Sequence, residues 1–162
     1  IASTVSFLQP KGYVAYYLPM GSRSTFITFF RMEGIKVFGA GALARDKRLF
    51  LGGDYSVRGF DEDAIGPIGA DGRPDGGQLL LMASTELQTR LFSNFKLAVF
   101  MDMGSLTNNF SEVSSLSFRN SAGAGFRYVT PVGQIRFDYA AKLDKQAGES
   151  VGRFHIAFGY AF

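Results

Sequence analysis

The sequence of 162 residues contains no cysteine, no tryptophan and a single histidine. Without cysteine, the chain has no disulfide framework, no thiolate metal site and no cysteine nucleophile. The net charge is only +3 and the basic residues are scattered, which argues against a nucleic-acid partner. No run of about 18 consecutive apolar residues occurs, so a transmembrane helix is excluded. A membrane role would therefore depend on strands.

Phenylalanine and glycine are abundant instead, with 17 and 20 copies. Large apolar side chains recur at every second position, which is the period of a strand. In the final segment, GRFHIAFGYAF, the large residues are Phe154, Ile156, Phe158, Tyr160 and Phe162, separated by small or charged ones. About ten residues suffice for a tilted strand to cross an outer membrane, with large side chains towards lipid and small or polar ones towards the lumen.

The same alternation predicts strands at 11–20, 25–41, 78–91, 94–105, 118–130, 133–143 and 152–162, with the weaker segment 1–9 assigned to the first strand. Short turns separate some strands, and longer loops at 42–77, 105–117 and 143–152 separate others. Short turns at one rim and long loops at the other are typical of an outer-membrane barrel. We therefore predict an all-β, antiparallel transmembrane β-barrel with about seven strands in this chain. The alternative is a soluble antiparallel sandwich, which would bury the bulky faces against each other.

The longest loop, 42–77, is not simply hydrophilic. Loops longer than about 12–15 residues are usually functional or disordered. This one carries apolar side chains that predict packing against the rest of the fold: Phe50, Val57, Phe60, Ile65 and Ile68. We expect the loop to fold inward into the lumen.

An inward loop would remove Arg58 from bulk water, so that its guanidinium group requires carboxylate partners. The planar guanidinium can bind two carboxylates at once. Glu86 and Asp102 lie on the predicted lumen faces of successive strands and are the candidates. The alternative is that both are ordinary solvated lumen charges.

Catalytic and metal chemistry have little support in the sequence. His155 lies in mid-strand, without a nucleophile elbow or an acidic partner at a recognisable spacing. The acidic run of Asp61, Glu62 and Asp63 lacks the spacing of a calcium loop, and we interpret it as a solvated patch or as counter-charges near Arg58. We predict no enzymatic activity, no metal and no cofactor.

Several motifs occur in a fixed order along the chain. They are Gly52-Gly53-Asp54, Val57-Arg58-Gly59-Phe60 and Ile65-Gly66-Pro67 in the loop, Glu86 in ASTELQTRLF, Asp102 in AVFMDMGS, Phe126-Arg127-Tyr128, and the hairpin PVGQIRFD at 131–138. In this order they resemble the BamA/TamA superfamily of outer-membrane protein insertases and transporters. The match covers nearly the whole chain and is nearest the TamA branch, followed by the BamA branch. Two-partner-secretion and patatin-type transporters are the alternatives within the superfamily.

The resemblance implies a sixteen-stranded barrel preceded by periplasmic POTRA domains. Residues 1–162 would then be the C-terminal part of that barrel, with the POTRA domains and N-terminal strands absent from this chain. We expect a fragment of a longer, integral outer-membrane protein, because unpaired strand edges are costly in hydrocarbon. A free-standing small barrel, acting as a passive pore, is the alternative.

The resemblance also implies a function in outer-membrane protein assembly, insertion or translocation. Arg58 would lock the loop in the lumen through Glu86 and Asp102, opposite a mobile seam formed by strand 152–162. Residues His155, Tyr160 and Phe162 would form a C-terminal sorting signal, although Ala157 stands where that signal usually has glycine. The implied partners are outer-membrane lipid, unfolded client proteins, the missing barrel half with its POTRA domains, and accessory periplasmic subunits.

Overall fold

The computed structural model describes residues 5–39, 41–108, 110 and 116–159. Seven strands form one antiparallel sheet in the order β2-β3-β5-β6-β7-β8-β9, and β1 pairs with β4 beside it. The strands are β1 Ser6–Leu8, β2 Lys11–Met20, β3 Ser24–Gly34, β4 Lys36–Phe38, β5 Leu79–Phe92, β6 Phe95–Thr107, β7 Arg119–Thr130, β8 Gly133–Lys142 and β9 Gly152–Phe158.

The predicted all-β antiparallel architecture with seven principal strands is confirmed. Tight turns join β2 to β3, β5 to β6 and β7 to β8 at one rim, and the three longer connections lie at the other. A short 3₁₀ helix, Arg45–Lys47, lies in the long loop. Within the part of the chain that the structure describes, no helix is long and apolar enough to span a membrane.

We assigned residues 1–9 to the first strand and predicted one strand at 25–41, but the structure has two strands in each of these regions, β1 and β2 in the first and β3 and β4 in the second. Residues 6–8 form a separate strand that pairs with β4, in the same register as the β2–β3 ladder that follows. The ladder breaks because Pro10 has no N–H to donate. Gly34 lies opposite Pro10 and donates its N–H to the Pro10 carbonyl oxygen at 2.9 Å. The N–H of the next residue, Ile35, donates to the Gln78 carbonyl oxygen at 2.7 Å, towards β5.

The two faces of the sheet have opposite exposure. In β9, Phe154 is 82% exposed and Ile156 is 63% exposed, whereas His155 between them is buried. In β8, Phe137 and Tyr139 are exposed while Gln134, Arg136 and Asp138 are buried. A soluble sandwich would bury the bulky side chains, so that alternative is wrong. The apolar face is the one that a lipid bilayer would cover.

The long loop covers the polar face and supplies much of its apolar core. Of the apolar loop residues, the structure buries Val57, Phe60 and Ile65, whereas Ile68 is exposed and Phe50 is only partly buried. Ile68 pairs with Pro74 in an outer turn of the loop, away from the sheet. The buried cluster comprises Phe29, Ile35, Leu43, Leu49, Leu51, Val57, Phe60, Ile65, Leu80, Met82 and Leu106.

Candidate functional site

The loop reaches the sheet through a compact turn followed by a close backbone approach. The turn is closed when the Gly52 N–H donates to Ser56 Oγ at 2.9 Å and the Ser56 N–H donates to the Gly53 carbonyl at 3.2 Å. Gly59 has a φ of +92°, and a Cβ there would lie 3.2 Å from the Ala140 carbonyl oxygen. A side chain at position 59 would therefore be strained and crowded against β8.

Arg58 is bound most extensively by Asp102 of β6. Its Nε donates to Asp102 Oδ2 at 2.7 Å and its Nη2 donates to Asp102 Oδ1 at 2.8 Å, which is the bidentate arrangement. The Arg58 backbone N–H also donates to Oδ2, at 3.1 Å. Ser84 of β5 holds the carboxylate from the other side, donating to Oδ1 at 2.5 Å. Asp102 thus fixes both the backbone and the side chain of the loop tip.

Two further strands contribute carboxylates to the same guanidinium group. Arg58 Nη1 donates to Glu86 Oε2 of β5 at 2.7 Å and lies 3.5 Å from Asp138 Oδ2 of β8. The ring of Phe100 lies beneath the guanidinium, with Cζ 3.4 Å from the ring centroid, a cation–π geometry. Both predicted partners, Glu86 and Asp102, therefore contact Arg58, and Asp138 is a third that the sequence did not single out.

Two more arginines complete the charge balance of this group. Arg127 Nη2 donates to Glu86 Oε2 at 3.0 Å, and its Nη1 is paired with Asp138 Oδ1. Arg136 Nη1 lies 3.7 Å from Asp138 Oδ2, and its Nη2 donates to the carbonyl oxygen of Asp54 in the loop. Three guanidinium groups thus face three carboxylates, and all six residues are buried. We name Arg58, Glu86, Asp102, Arg127, Arg136 and Asp138 the inner charge cluster.

The added members were marked in the sequence by their position on the inward faces of the predicted strands and by the motifs that contain them, but nothing paired them with Arg58. Alternation placed Arg127, Arg136 and Asp138 on those faces but did not show which heights coincide. In the structure, Arg127 lies opposite Arg136 across the β7–β8 ladder, with Asp138 one step along the same face. Two adjacent arginines require carboxylates from neighbouring strands, and the cluster supplies them.

The loop also contacts the last strand. The Gly59 N–H donates to His155 Nε2 at 2.8 Å, and His155 Nδ1 is hydrogen-bonded to Asp54 Oδ1. Tyr55 Oη donates to the Phe158 carbonyl oxygen at 2.8 Å. We expected the loop to act opposite the strand of the seam, and it instead touches that strand directly.

The remaining predicted residues are distributed around this centre. Gly52 and Gly53 are buried with φ values of +120° and +101°, and Gly66 has φ +123° against Leu106. The Pro67 carbonyl accepts a hydrogen bond from the Asp75 N–H at 2.9 Å. Tyr160 and Phe162, expected in the sorting signal, lie outside the described residues.

The acidic run beside the motif is largely solvent-facing. Asp61 is exposed and pairs with Arg153 at the start of β9. Partial burial, together with the charges of Asp63 and Asp54, raises the pKa of Glu62 above its ordinary value. Among the residues that the structure describes, no group of three or more His, Asp or Glu side chains is arranged to hold a metal ion.

The arrangement is mechanical in character. A permanently charged guanidinium is held by carboxylates from three strands, each of them buried, so the loop tip is fixed at one height in the polar face. The fold and site define a class: a membrane β-sheet whose outer face is apolar and whose inner face binds an inserted loop through buried ion pairs.

The chain matches the Omp85 superfamily domain over residues 1–162, and it belongs to that superfamily. It is similar to the chloroplastic outer envelope protein 80 of Oryza sativa subsp. japonica, with 32% identity over 68% of this chain and 16% of that protein. A SAM50-like protein of Schizosaccharomyces pombe is 30% identical over 69% of this chain and 26% of its own length. The outer membrane protein assembly factor BamA of Nitratidesulfovibrio vulgaris is 28% identical over 76% of this chain and 16% of its own.

The structural match agrees with these relatives. The crystal structure of BamA from Haemophilus ducreyi lacking POTRA domains 1–3 superposes with a TM-score of 0.77 and 25% identity, covering 93% of this chain and 34% of that one. The chain therefore spans only a minor part of the proteins it matches. Family and fold together make it an integral outer-membrane protein. BamA-type members of this superfamily are non-enzymatic insertion and transport factors, and we assign no reaction to the chain.

Proposed function

We propose that this protein inserts or translocates other proteins at the outer membrane, through a seam at β9, while Arg58 locks loop 42–77 inside the barrel. The observation that carries the proposal is the burial of Arg58 among carboxylates of three strands. The relative named as an outer membrane protein assembly factor supports the insertion function.

The seam follows from the chemistry of a strand edge. A strand paired on one side presents a row of N–H and C=O groups, and these are costly to leave unpaired in hydrocarbon. Within the described residues, β9 pairs with β8 alone. An incoming client strand could pair with that edge by β-augmentation. The locked loop would keep β5, β6 and β8 together while the edge exchanges partners.

The partners belong to the same proposal. Unfolded outer-membrane or secreted proteins are the clients, and bilayer lipid covers the exposed apolar face. The N-terminal barrel strands, the POTRA domains and accessory periplasmic subunits would complete the machine. A two-partner-secretion or patatin-type transporter would use the same lock but export a soluble client. A passive pore is disfavoured because the loop packs an apolar core over the inner face, where a channel would need water.

Removal of the Arg58 side chain tests the lock. In the full-length protein, Arg58→Ala leaves three buried carboxylates without this cation, so the loop should lose its fixed position. We expect the variant to enter the membrane, since its apolar face is unchanged, but to insert a model barrel client several-fold more slowly. The measurement is the rate of client folding into protein-containing lipid vesicles.

The matched control is Arg73→Ala, which removes an exposed arginine from the same loop. Arg58→Lys keeps the charge without the bidentate geometry and should give an intermediate rate. Client insertion at the wild-type rate in Arg58→Ala would show that the loop is not a functional lock. Export of a soluble client with no insertion would favour the transporter alternative.

A further inference from the structure

The loop touches β9 near its start, at its middle and near its end. Asp61 pairs with Arg153, Gly59 and Asp54 bind His155, and Tyr55 binds the backbone at Phe158. The first contact is exposed and the last uses only a carbonyl oxygen. The middle contact is different, because His155 is buried and both of its ring nitrogens are used.

The hydrogen-bond partners determine the protonation of this imidazole. A backbone N–H can only donate, so the Nε2 that faces Gly59 must be unprotonated. The Nδ1 must then carry the proton and donate it to the Asp54 carboxylate. The geometry therefore assigns His155 as the neutral Nδ1–H tautomer. A doubly protonated ring would turn an N–H towards the N–H of Gly59 and lose this bond.

The contact between Gly59 and His155 is significant because Gly59 directly follows Arg58 in the chain. Its N–H belongs to the peptide that joins it to Arg58, whose side chain is held by β5 and β6. One peptide unit thus links the inner charge cluster to the last strand. By contrast, β2 at the opposite edge of the sheet is exposed along its whole length.

Building on the proposed function of β9 as the seam strand, we propose that Asp54 and His155 are positioning residues that tie β9 to the locked loop. The hydrogen bond to His155 fixes β9, the strand that exchanges partners, relative to the Arg58–Gly59 peptide. Asp54 keeps the imidazole in the tautomer that can accept the Gly59 N–H. When a client strand pairs at the seam, β9 would then have to move against the hydrogen bonds that His155 makes with the loop.

The tautomer is tested spectroscopically in the full-length protein, reconstituted in phosphatidylethanolamine–phosphatidylglycerol vesicles and labelled with ¹⁵N-histidine. The His155 signals are those that disappear in His155→Gln. We expect the shifts of a neutral ring with an unprotonated Nε2 and a protonated Nδ1. In Asp54→Asn that preference should weaken. A ring protonated at Nε2, in either charge state, would overturn the assignment.

The tie itself is tested with two substitutions at the same position. His155→Phe keeps a flat ring but removes the acceptor, so the Gly59 amide should exchange with deuterium about tenfold faster. The rate of client insertion per folded molecule should fall several-fold. His155→Gln can present Oε1 where Nε2 lay, and it should restore most of the Gly59 protection and of the insertion rate.

The control is Phe30→Leu, which alters an exposed apolar side chain of β3, away from the seam, and should change neither readout. Unchanged Gly59 exchange and unchanged insertion in His155→Phe would refute the tie while leaving the proposed function intact. If the wild-type protein inserts no client, the proposed function fails instead, and Gly59 exchange still decides whether the tie exists. Loss of client insertion in His155→Phe with unchanged Gly59 exchange would also overturn the proposed tie.

Discussion

Arg58 and Arg119 are each bound by more than one carboxylate, the first inside the sheet and the second at its rim. Arg58 is paired with Glu86, Asp102 and Asp138, and its side chain is 1% exposed. At the rim, Arg119 donates to Asp144 at 3.1 Å and to Glu149 at 2.7 Å. These rim carboxylates are 31% and 25% exposed.

The comparison between Arg58 and Arg119 shows where an ion pair contributes to the stability of the fold. Arg58 joins the loop to residues 28, 44 and 80 positions further along the chain, so it connects elements that the backbone leaves far apart. Arg119 joins the start of β7 to the loop between β8 and β9, 25 and 30 positions away. Removing one partner of a buried pair leaves an uncompensated charge, whereas water compensates at the rim. We therefore expect similar pairs to differ strongly in energy.

The largest effect is expected for Asp102→Asn. The substitution preserves shape but removes the charge that Arg58 binds through its side chain and its backbone. The free energy of unfolding should fall by about 3–5 kcal/mol, the usual cost of breaking a buried pair. Urea unfolding in detergent micelles, followed by tryptic cleavage within the loop, measures both the stability and the release of the loop.

The rim substitution Asp144→Asn is the matched control for that experiment. It removes a carboxylate from Arg119 and from the Asn120 N–H, yet solvent remains available. Its cost should stay below about 1 kcal/mol. Equal losses in the two variants would contradict our view that burial separates the clusters.

A smaller effect is expected where the loop fits the sheet by shape alone. A Cβ on Gly104 would lie 2.7 Å from Val57 Cγ2 and 2.8 Å from Leu51 Cδ2. Gly104→Ala should therefore cost about 1–3 kcal/mol through overpacking, without any change in charge. Unfolding in urea again gives the value, and limited proteolysis shows whether the loop tip lifts.

The control for overpacking is Gly12→Ala, because a Cβ there meets nothing within 4 Å. It should leave stability unchanged or slightly raised. If Gly104→Ala leaves the free energy of unfolding unchanged, the inner charge cluster, and not the fit of Val57, sets the height of the loop.

Alternation and loop length predicted much of this molecule. The period of two identified the faces and assigned Glu86 and Asp102 to the inward one, which is the side that the loop covers in the structure. Alternation does not give the register between strands, which depends on turn geometry. Asp138 lies opposite His155 and Gly125 only because of the turns that precede β8 and β9. For that reason the sequence did not join Asp138 and Arg127 to Arg58.

The path of the loop was the second feature that the sequence could not supply. Its apolar residues indicated inward packing, but Ile68 turned outward because the Ile68–Pro74 bridge closes a separate turn. The contact between His155 and Asp54 spans 101 positions and requires both the register of β9 and the descent of the loop. A lone histidine on an inward face gave no sign of its partner.

The smallest expected effect returns to the rim. The hydrogen bond from Arg119, with a further one from the Gln146 N–H, lowers the pKa of Glu149 to about 2 from the ordinary 4.5. A lowered folded-state pKa stabilises the fold above the unfolded value, and the stabilisation is lost as the pH falls from 4.5 towards 2. Glu149→Gln removes the charge at every pH.

Wild type and Glu149→Gln should therefore differ in free energy of unfolding by less than about 1 kcal/mol at neutral pH, because the carboxylate lies at the rim, where solvent reaches it. That difference should vanish as acid protonates Glu149, and it should shrink in about 1 M salt, where the Debye length is near 3 Å. Parallel urea titrations across this pH range measure it. If the difference is independent of pH, the ion pair with Arg119 contributes nothing measurable. A difference as large as that of Asp102→Asn would mean that burial does not distinguish the two arginines.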